Sequence, residues 1–376
     1  MFILDVLLDD IFPLVNQKSF KFLDELVKDK KYIFLGESTH TAKEYSEYKL
    51  EIIKYLHQNH NFKVLAFESE FGDCFIGNHL SVDRNSLEFM KGSIGRIWQN
   101  KTNLELFSYI KDTKQTNNPL SLSGIDVQPS QGKHLRTYLE NELHNELKDK
   151  FVEFDENLVA LLSKSKIKKK DAVLVERLIN IGEELVYSLQ TKKHELSDGL
   201  VHALNMRIDY LKANSTLSFA KLFEYRDHLM AKNLEYIIHT LYPNENIIIW
   251  AHNLHIKKNS SNSLLSPYKS IYENLPNHIQ NQSLVIGFYA KEGTFATPFG
   301  PPIELKKLNK KHMEWHIDKV TDQTCYVNCH SNWAEQKFKV LESGFMRMSI
   351  RPKDQFDGVL FFKEITPAEF IERPQE

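Results

Sequence analysis

Three segments of this 376-residue chain place ionisable side chains directly after an apolar run. Glu37 and His40 follow YIFL at 32–35, Glu68 follows KVLAF at 63–67, and His252 and His255 follow ENIIIW at 245–250. Gly36 permits a tight turn, after which a carboxylate and an imidazole three residues apart can face one space. That pairing suits a general base: the imidazole takes a proton from water while the carboxylate holds the ring in orientation. Lysine, arginine or a second histidine would then stabilise the developing oxyanion. Two further segments carry polar groups of the same kind. GIDVQ at 124–128 delivers Asp126 and Gln128, and YRDHLMAKN at 225–233 puts Arg226, Met230 and Asn233 on one helix face by spacings of four and three.

What is missing narrows the chemistry. The chain has no G-x-S-x-G elbow, no H-E-x-x-H, no Walker A loop and no G-x-G-x-x-G after a strand, so covalent serine catalysis and nucleotide binding lose support.

The elements that must position these residues are legible in the hydrophobic pattern. Tyr32–Leu35 reads as a buried strand, Lys43 to His60 as a helix entered through a Thr41/Glu44 capping box, and Lys63 to Phe67 as the second strand of a βαβ unit. Helical pieces follow at Ser86 to Met90 and Asn103 to Thr116, then a strand at Pro119 to Gly124. From His134 to Ser215 proline is absent and Leu, Lys and Glu dominate, which predicts two or three antiparallel helices. The basic run Lys164, Lys166, Lys168, Lys169 and Lys170 reads most simply as a solvated face, since no aromatic residues interleave with it. A helix over 217–241 and the strand at 245–250 return the chain to the sheet. Ser283 to Tyr289 and Gly358 to Phe362 are expected as antiparallel or edge strands. The fold class expected is α/β: a mostly parallel central sheet flanked by helices, with a helical insert. Residues 1–133 and 216–376 form the α/β catalytic domain, and 134–215 the insert covering the cleft. Ligands in such sheets bind outside the carboxyl ends of the strands, where Glu37, His40, Glu68, His252 and His255 would converge.

Composition sets outer limits. Forty-eight basic and 50 acidic residues give a formal net charge of −2, which favours neither nucleic acid nor an anionic membrane. Cys74, Cys325 and Cys329 make no disulfide framework, and CYVNCH lacks both haem-attachment spacing and a second zinc pair, so a reducing compartment is expected. The opening MFILDVLLDDIF carries Asp5, Asp9 and Asp10 without a basic n-region, and no apolar stretch is long enough for a membrane helix. A cytoplasmic protein is expected.

Taken together, LGESTH at 35–40, AFE at 66–68, GIDVQ, RDHLMAKN at 226–233 and WAHNLH at 250–255 resemble the erythromycin esterase family, in the family's order and over about 220 residues. The resemblance implies a cytosolic hydrolase, without cofactor, that opens the macrolactone ester of macrolides without a serine nucleophile. It implies His40 as the general base, Glu37 and Glu68 as its acidic partners, and His252, His255 and Arg226 as further site residues, with Asp126 beside them in substrate binding. A site arginine of the family falls at Lys49, which keeps the charge but loses the bidentate fork. Leu254 and Lys257 stand where relatives often have a glycine and a small residue. The partner expected is a small-molecule ester, a macrolide among the candidates. Two other readings use the same residues: a metal-dependent hydrolase, since Glu37, His40, Glu68, His252 and His255 are an adequate ligand set for zinc or manganese, and a non-catalytic small-molecule binder.

Overall fold

The computed structural model describes residues 10–14, 20–129, 132–164, 167–191, 195–262, 267–297 and 300–371. The apolar opening before Asp10, and Lys166 of the basic run, lie outside the described residues. Eleven strands occur among those described: β1 (Ile11–Pro13), β2 (Tyr32–Leu35), β3 (Phe62–Glu70), β4 (Ser121–Asp126), β5 (Asn246–Trp250), β6 (Ser283–Thr297), β7 (Gly300–Glu304), β8 (Cys325–Asn328), β9 (Phe338–Glu342), β10 (Met346–Ile350) and β11 (Gly358–Ile365). The chain splits into two compact units, Met1–Ala66 with Ile97–Ser121 and Ile237–Glu376, and Phe67–Arg96 with Leu122–Tyr236.

In the first unit the strand order is β1-β8-β11-β6-β2-β5-β3. The pairs β11–β6, β6–β2 and β2–β5 are parallel, while β8 and β1 add an antiparallel edge. The fold is therefore α/β with a mostly parallel central sheet. Every residue of β2 is buried and so are the last four of β5, which is why both read as unbroken apolar runs. Leu35 is in register with Trp250 on one side and Ile286 on the other. β2 and β5 thus end at one level while β6 runs on past Ile286, and the residues after Leu35 and Trp250 start from the same edge of the sheet.

Several expectations change. Neither C-terminal strand is an edge element, and only β11 is antiparallel to a sheet neighbour along its length, on its β8 side: β6 lies between β2 and β11, parallel to both, and only its far end takes the antiparallel β7. Parallel pairing at long sequence separation leaves no trace in local periodicity, so the pattern alone misplaces them. β2 and β3 are not neighbours, because β5 is inserted between them.

The helix Lys43–His60 has the bounds its pattern predicts, yet the capping box is absent. Its N-cap is Ala42 with no side-chain bond, Thr41 Oγ1 donates to the Ala296 carbonyl at 2.5 Å, and Glu44 accepts from the Thr366 amide at 2.6 Å. Both polar residues join the helix start to distant strand ends instead. At the other end Asn61, at φ +56°, donates its N–H to the Leu56 carbonyl and closes the last turn.

The second unit contains Phe67–Glu70 of β3, Leu122–Asp126 of β4, and helices at Phe71–Leu80, Ser86–Ser93, His134–Glu142, Asn145–Leu162, Ala172–Thr191, Ser197–Thr216 and Phe219–Tyr236. Four of these fall in the stretch where two or three were expected. Buried Arg207 reaches Glu70 at 3.0 Å and Asp155 at 2.7 Å, linking the strand end to a helix. That pairing explains a further correction: β3 does not stop at Phe67 but continues to Glu70, because Glu70 finds a guanidinium and the Asp73 amide rather than water. Glu68 is consequently an interior strand residue. Among the described residues no helix is long and apolar enough to cross a membrane.

Candidate active site

The Gly36–His40 loop follows β2 and stays tied to β6, the Gly36 amide donating to the Ile286 carbonyl at 2.8 Å and the Ser38 amide to the Phe288 carbonyl at 3.1 Å. A Cβ on Gly36 would overlap Asn253 Oδ1 and meet Ile256 Cδ1 at 2.8 Å, so only glycine lets the loop pass this close to the segment after β5. Asn253 fixes that approach. Its backbone N–H donates to the Glu37 carbonyl at 2.8 Å, and its side chain exchanges two bonds with Phe288 of β6, at 3.0 and 3.3 Å.

Glu37 is unexposed, and its two oxygens accept from four donors. Oε1 takes His40 Nδ1 at 2.7 Å and Trp98 Nε1 at 3.3 Å; Oε2 takes Lys49 Nζ at 2.7 Å and Trp250 Nε1 at 3.2 Å. Burial pushes this carboxyl up, but the Lys49 ammonium and the His40 contact outweigh it and hold the group below the usual carboxylate range. Glu37 is therefore an anion whose bonds are already committed. Lys49 and Tyr45 sit one turn apart on the helix Lys43–His60 and reach adjacent loop residues, Lys49 to Glu37 and Tyr45 to the Ser38 hydroxyl at 2.9 Å. The Lys49 ammonium also lies 4.3 Å over the Trp250 ring, a cation–π contact that offsets part of its desolvation.

His40 is the more exposed partner, its side chain 24% accessible against none for Glu37. With Nδ1 donating to the carboxylate, Nε2 is the nitrogen that carries the lone pair in the neutral ring, and it has no hydrogen-bond partner among the described residues. Trp98 and His252 hold the ring edge-on at centroid distances of 4.9 and 5.0 Å. His252 adopts the opposite tautomer: Nδ1 accepts from the Leu254 amide at 3.1 Å, so Nε2 carries the proton and donates to the Ser38 carbonyl at 3.2 Å. His255 is buried on the same short helix, Asn253–Ile256.

The remaining expected residues belong to the second unit and gather there. Arg226 donates bidentately to Asp126, at 2.9 and 2.7 Å, and lies 3.7 Å from Glu68. Burial works against the Arg226 charge, but Asp126 and Glu68 keep it protonated. Asn233, two turns on, donates to the Ile125 and Asp126 carbonyls at 2.9 and 3.3 Å, and His202 Nε2 meets Asn233 Oδ1 at 2.8 Å. Arg226 and Asn233 thus do share the face their spacing predicts.

Pattern reasoning missed Trp98, Trp250, Tyr45 and Asn253. Trp250 and Asn253 stand within WAHNLH, where a buried indole at a strand end and an amide beside two histidines were available signals; Trp98 arrives from a separate segment and had none. The resemblance places Lys49 among substrate contacts, whereas its ammonium is unexposed and bound to Glu37. Among the described residues no group of three or more His, Cys, Asp or Glu is arranged to hold a metal ion.

The fold and this loop define an α/β protein with a buried, cation-paired carboxylate behind a half-exposed imidazole. The erythromycin esterase family profile matches residues 57–365, and the chain belongs to that family. A putative hydrolase, YbfO, of Bacillus subtilis (strain 168) is 28% identical over 402 residues, covering 95% of this chain and 88% of its own length. Both names point to a hydrolase. Among solved structures, a succinoglycan biosynthesis protein superposes with a TM-score of 0.79 at 18% identity, covering 98% of each chain. A mutant of the erythromycin esterase EreC in its open conformation gives a TM-score of 0.69 at 16% identity, over 95% of this chain and 96% of its own. Such low identities establish a shared fold. The Gly36–His40 loop precedes the matched residues, so its geometry stands on the structure alone.

Proposed function

We propose that this protein hydrolyses a carboxylic ester or macrolactone through water activated by His40, with no covalent serine intermediate. The observation that carries the reading is the Glu37–His40 pair: a 2.7 Å bond to Nδ1 from an unexposed carboxylate, leaving Nε2 with a lone pair on the accessible side of the ring. Attack would proceed as Nε2 takes a proton from water while the hydroxide adds to the ester carbonyl. Glu37 then faces an imidazolium across the same bond and stabilises it. Lys49, Trp98 and Trp250 keep that carboxylate ionised and still, and His252 packs against the reacting ring.

Erythromycin, other 14-membered macrolides and a panel of simple esters incubated with the purified protein test this, with mass spectrometry reading the gain of one water. Turnover by the wild type that persists undiminished in His40→Asn would sink the general-base role. A thermal shift with macrolide but no product from any substrate would point to a binding protein instead.

A further inference from the structure

The first unit buries a second charged cluster that the proposed hydrolysis does not use. Glu342, the last residue of β9, is unexposed, and its Oε1 accepts from Lys257 Nζ at 2.7 Å and from the Tyr289 hydroxyl at 2.7 Å. Glu314 is equally buried and accepts from the Leu341 amide at 3.0 Å. Glu342 Oε2 and Glu314 Oε2 are both buried without a hydrogen-bond partner among the described residues. Two carboxyl groups and an ammonium removed from water are costly to fold around, and an apolar filling of similar volume is often as stable. The arrangement therefore calls for a reason beyond packing.

The reason lies in what the partners are attached to. Each of the three residues joined at Glu342 Oε1 neighbours a bond to the Gly36–His40 loop. Ser343, next after Glu342 and held at φ +52°, donates its N–H to the Ser38 carbonyl at 2.6 Å. Lys257 ends the segment in which His252 Nε2 donates to that carbonyl and the Asn253 amide donates to the Glu37 carbonyl. Phe288, next before Tyr289, accepts the Ser38 amide at 3.1 Å. One carboxylate oxygen thus ties together the three segments that hold Ser38 on both its amide and its carbonyl.

We propose that Glu342 is a positioning residue: by clamping Lys257 and Tyr289 it fixes the Ser38 carbonyl, which, together with the Leu254 amide on Nδ1, selects the Nε2–H tautomer of His252 and sets that ring against His40. The consequence for turnover rests on the reading of His40 as general base; the consequence for His252 does not. A carboxylate is needed because it accepts two donors on one oxygen and balances the ammonium at the same time. The charged and titratable groups around it are Lys257, Tyr289, Glu314 and Tyr45.

The test is nitrogen NMR of the full chain with labelled histidine, comparing wild type, Glu342→Gln and Tyr289→Phe, with the His252 signals identified by their loss in His252→Gln. Wild type is expected to show His252 in the Nε2–H form alone. Glu342→Gln is expected to give a mixture of tautomers and to lower kcat by about tenfold on whichever ester is turned over, with KM within about twofold. Tyr289→Phe keeps the charges paired and removes one bond, so it supplies a folded variant with a smaller change in the same direction. Wild-type tautomer and wild-type kcat in both variants, with only a lowered melting temperature, would reduce the cluster to structural support and overturn the proposal. A tautomer shift in a protein that hydrolyses no ester would leave the clamp standing and remove the hydrolase reading.

Discussion

The Lys49 ammonium and the Glu37 carboxylate meet at 2.7 Å with neither side chain exposed. Each is tolerable in the interior only because of the other. Lys49→Met keeps an unbranched apolar stem but removes the ammonium from over the Trp250 ring and leaves the carboxylate without its main counter-charge. Removing one partner of a buried pair costs about 3–5 kcal/mol, so urea unfolding of Lys49→Met should show a loss of that order. A loss below about 1 kcal/mol would mean that the two indoles and His40 suffice to hold the anion.

The same pair sets a pH dependence with a definite sign. The Glu37 carboxyl is held below its ordinary value in the folded protein, so the stability it contributes is fully present above that value and is lost as pH falls through the folded one. Glu37→Gln has no such titration. The melting temperature of wild type should exceed that of Glu37→Gln at neutral pH, and the gap should narrow only in the acid range, below about pH 4.3. A gap that is flat from neutral into strong acid would contradict the assignment of an ionised, cation-held Glu37.

Gly36 and Asn253 form the second relationship that can be tested by substitution. A methyl group on Gly36 needs the space of Asn253 Oδ1, and Asn253 cannot move without releasing both of its bonds to Phe288. Asn253→Ala should cost about 1–3 kcal/mol for the buried groups it leaves unpaired. Gly36→Ala should cost at least as much. Because the two changes compete for one space, the double variant should be less destabilised than the sum, by about 0.5 kcal/mol or more in a urea-melt cycle. Strict additivity would show that the loop relaxes without contacting Asn253.

How much of this was legible depends on whether the cause was local. β2 and β5 are unbroken apolar runs because both faces are covered, and the helix Lys43–His60 shows its buried face at helical spacing, so all three can be read from short windows. The Glu37–His40 bond is equally local, three residues across a turn. The central placement of β6 and β11 is not, since their parallel partners lie far away in sequence. Glu68 looked like the residue after a strand because a carboxylate usually marks an exit; Arg207, 137 residues beyond Glu70, is what lets the strand continue. Trp98, Lys257, Glu314 and Glu342 belong to the same class. Each has a bland local context and gains its meaning from a contact that only the folded chain makes.

Glu314 offers the last prediction, and it runs opposite to Glu37. Burial pushes its carboxyl up to about 8, with Glu342 adding to the rise and its own and the Leu341 amide, together with Lys257, opposing it. The folded protein therefore binds this proton more tightly than the unfolded chain does. Its contribution to stability is fully present below the ordinary carboxylate value, declines as pH rises, and is gone above the folded value of about 8. The slope attributable to one such group is at most about 1.4 kcal/mol per pH unit. Glu314→Gln keeps an acceptor for the Leu341 amide but cannot ionise beside Glu342. Urea midpoints of wild type and Glu314→Gln should lie closest at and below about pH 4.3, and wild type should then fall progressively behind toward about pH 8, with no further divergence beyond it. If the two proteins keep a constant separation over that range, Glu314 is ionised in the fold at neutral pH, and its unpartnered oxygen must be stabilised by something other than a proton.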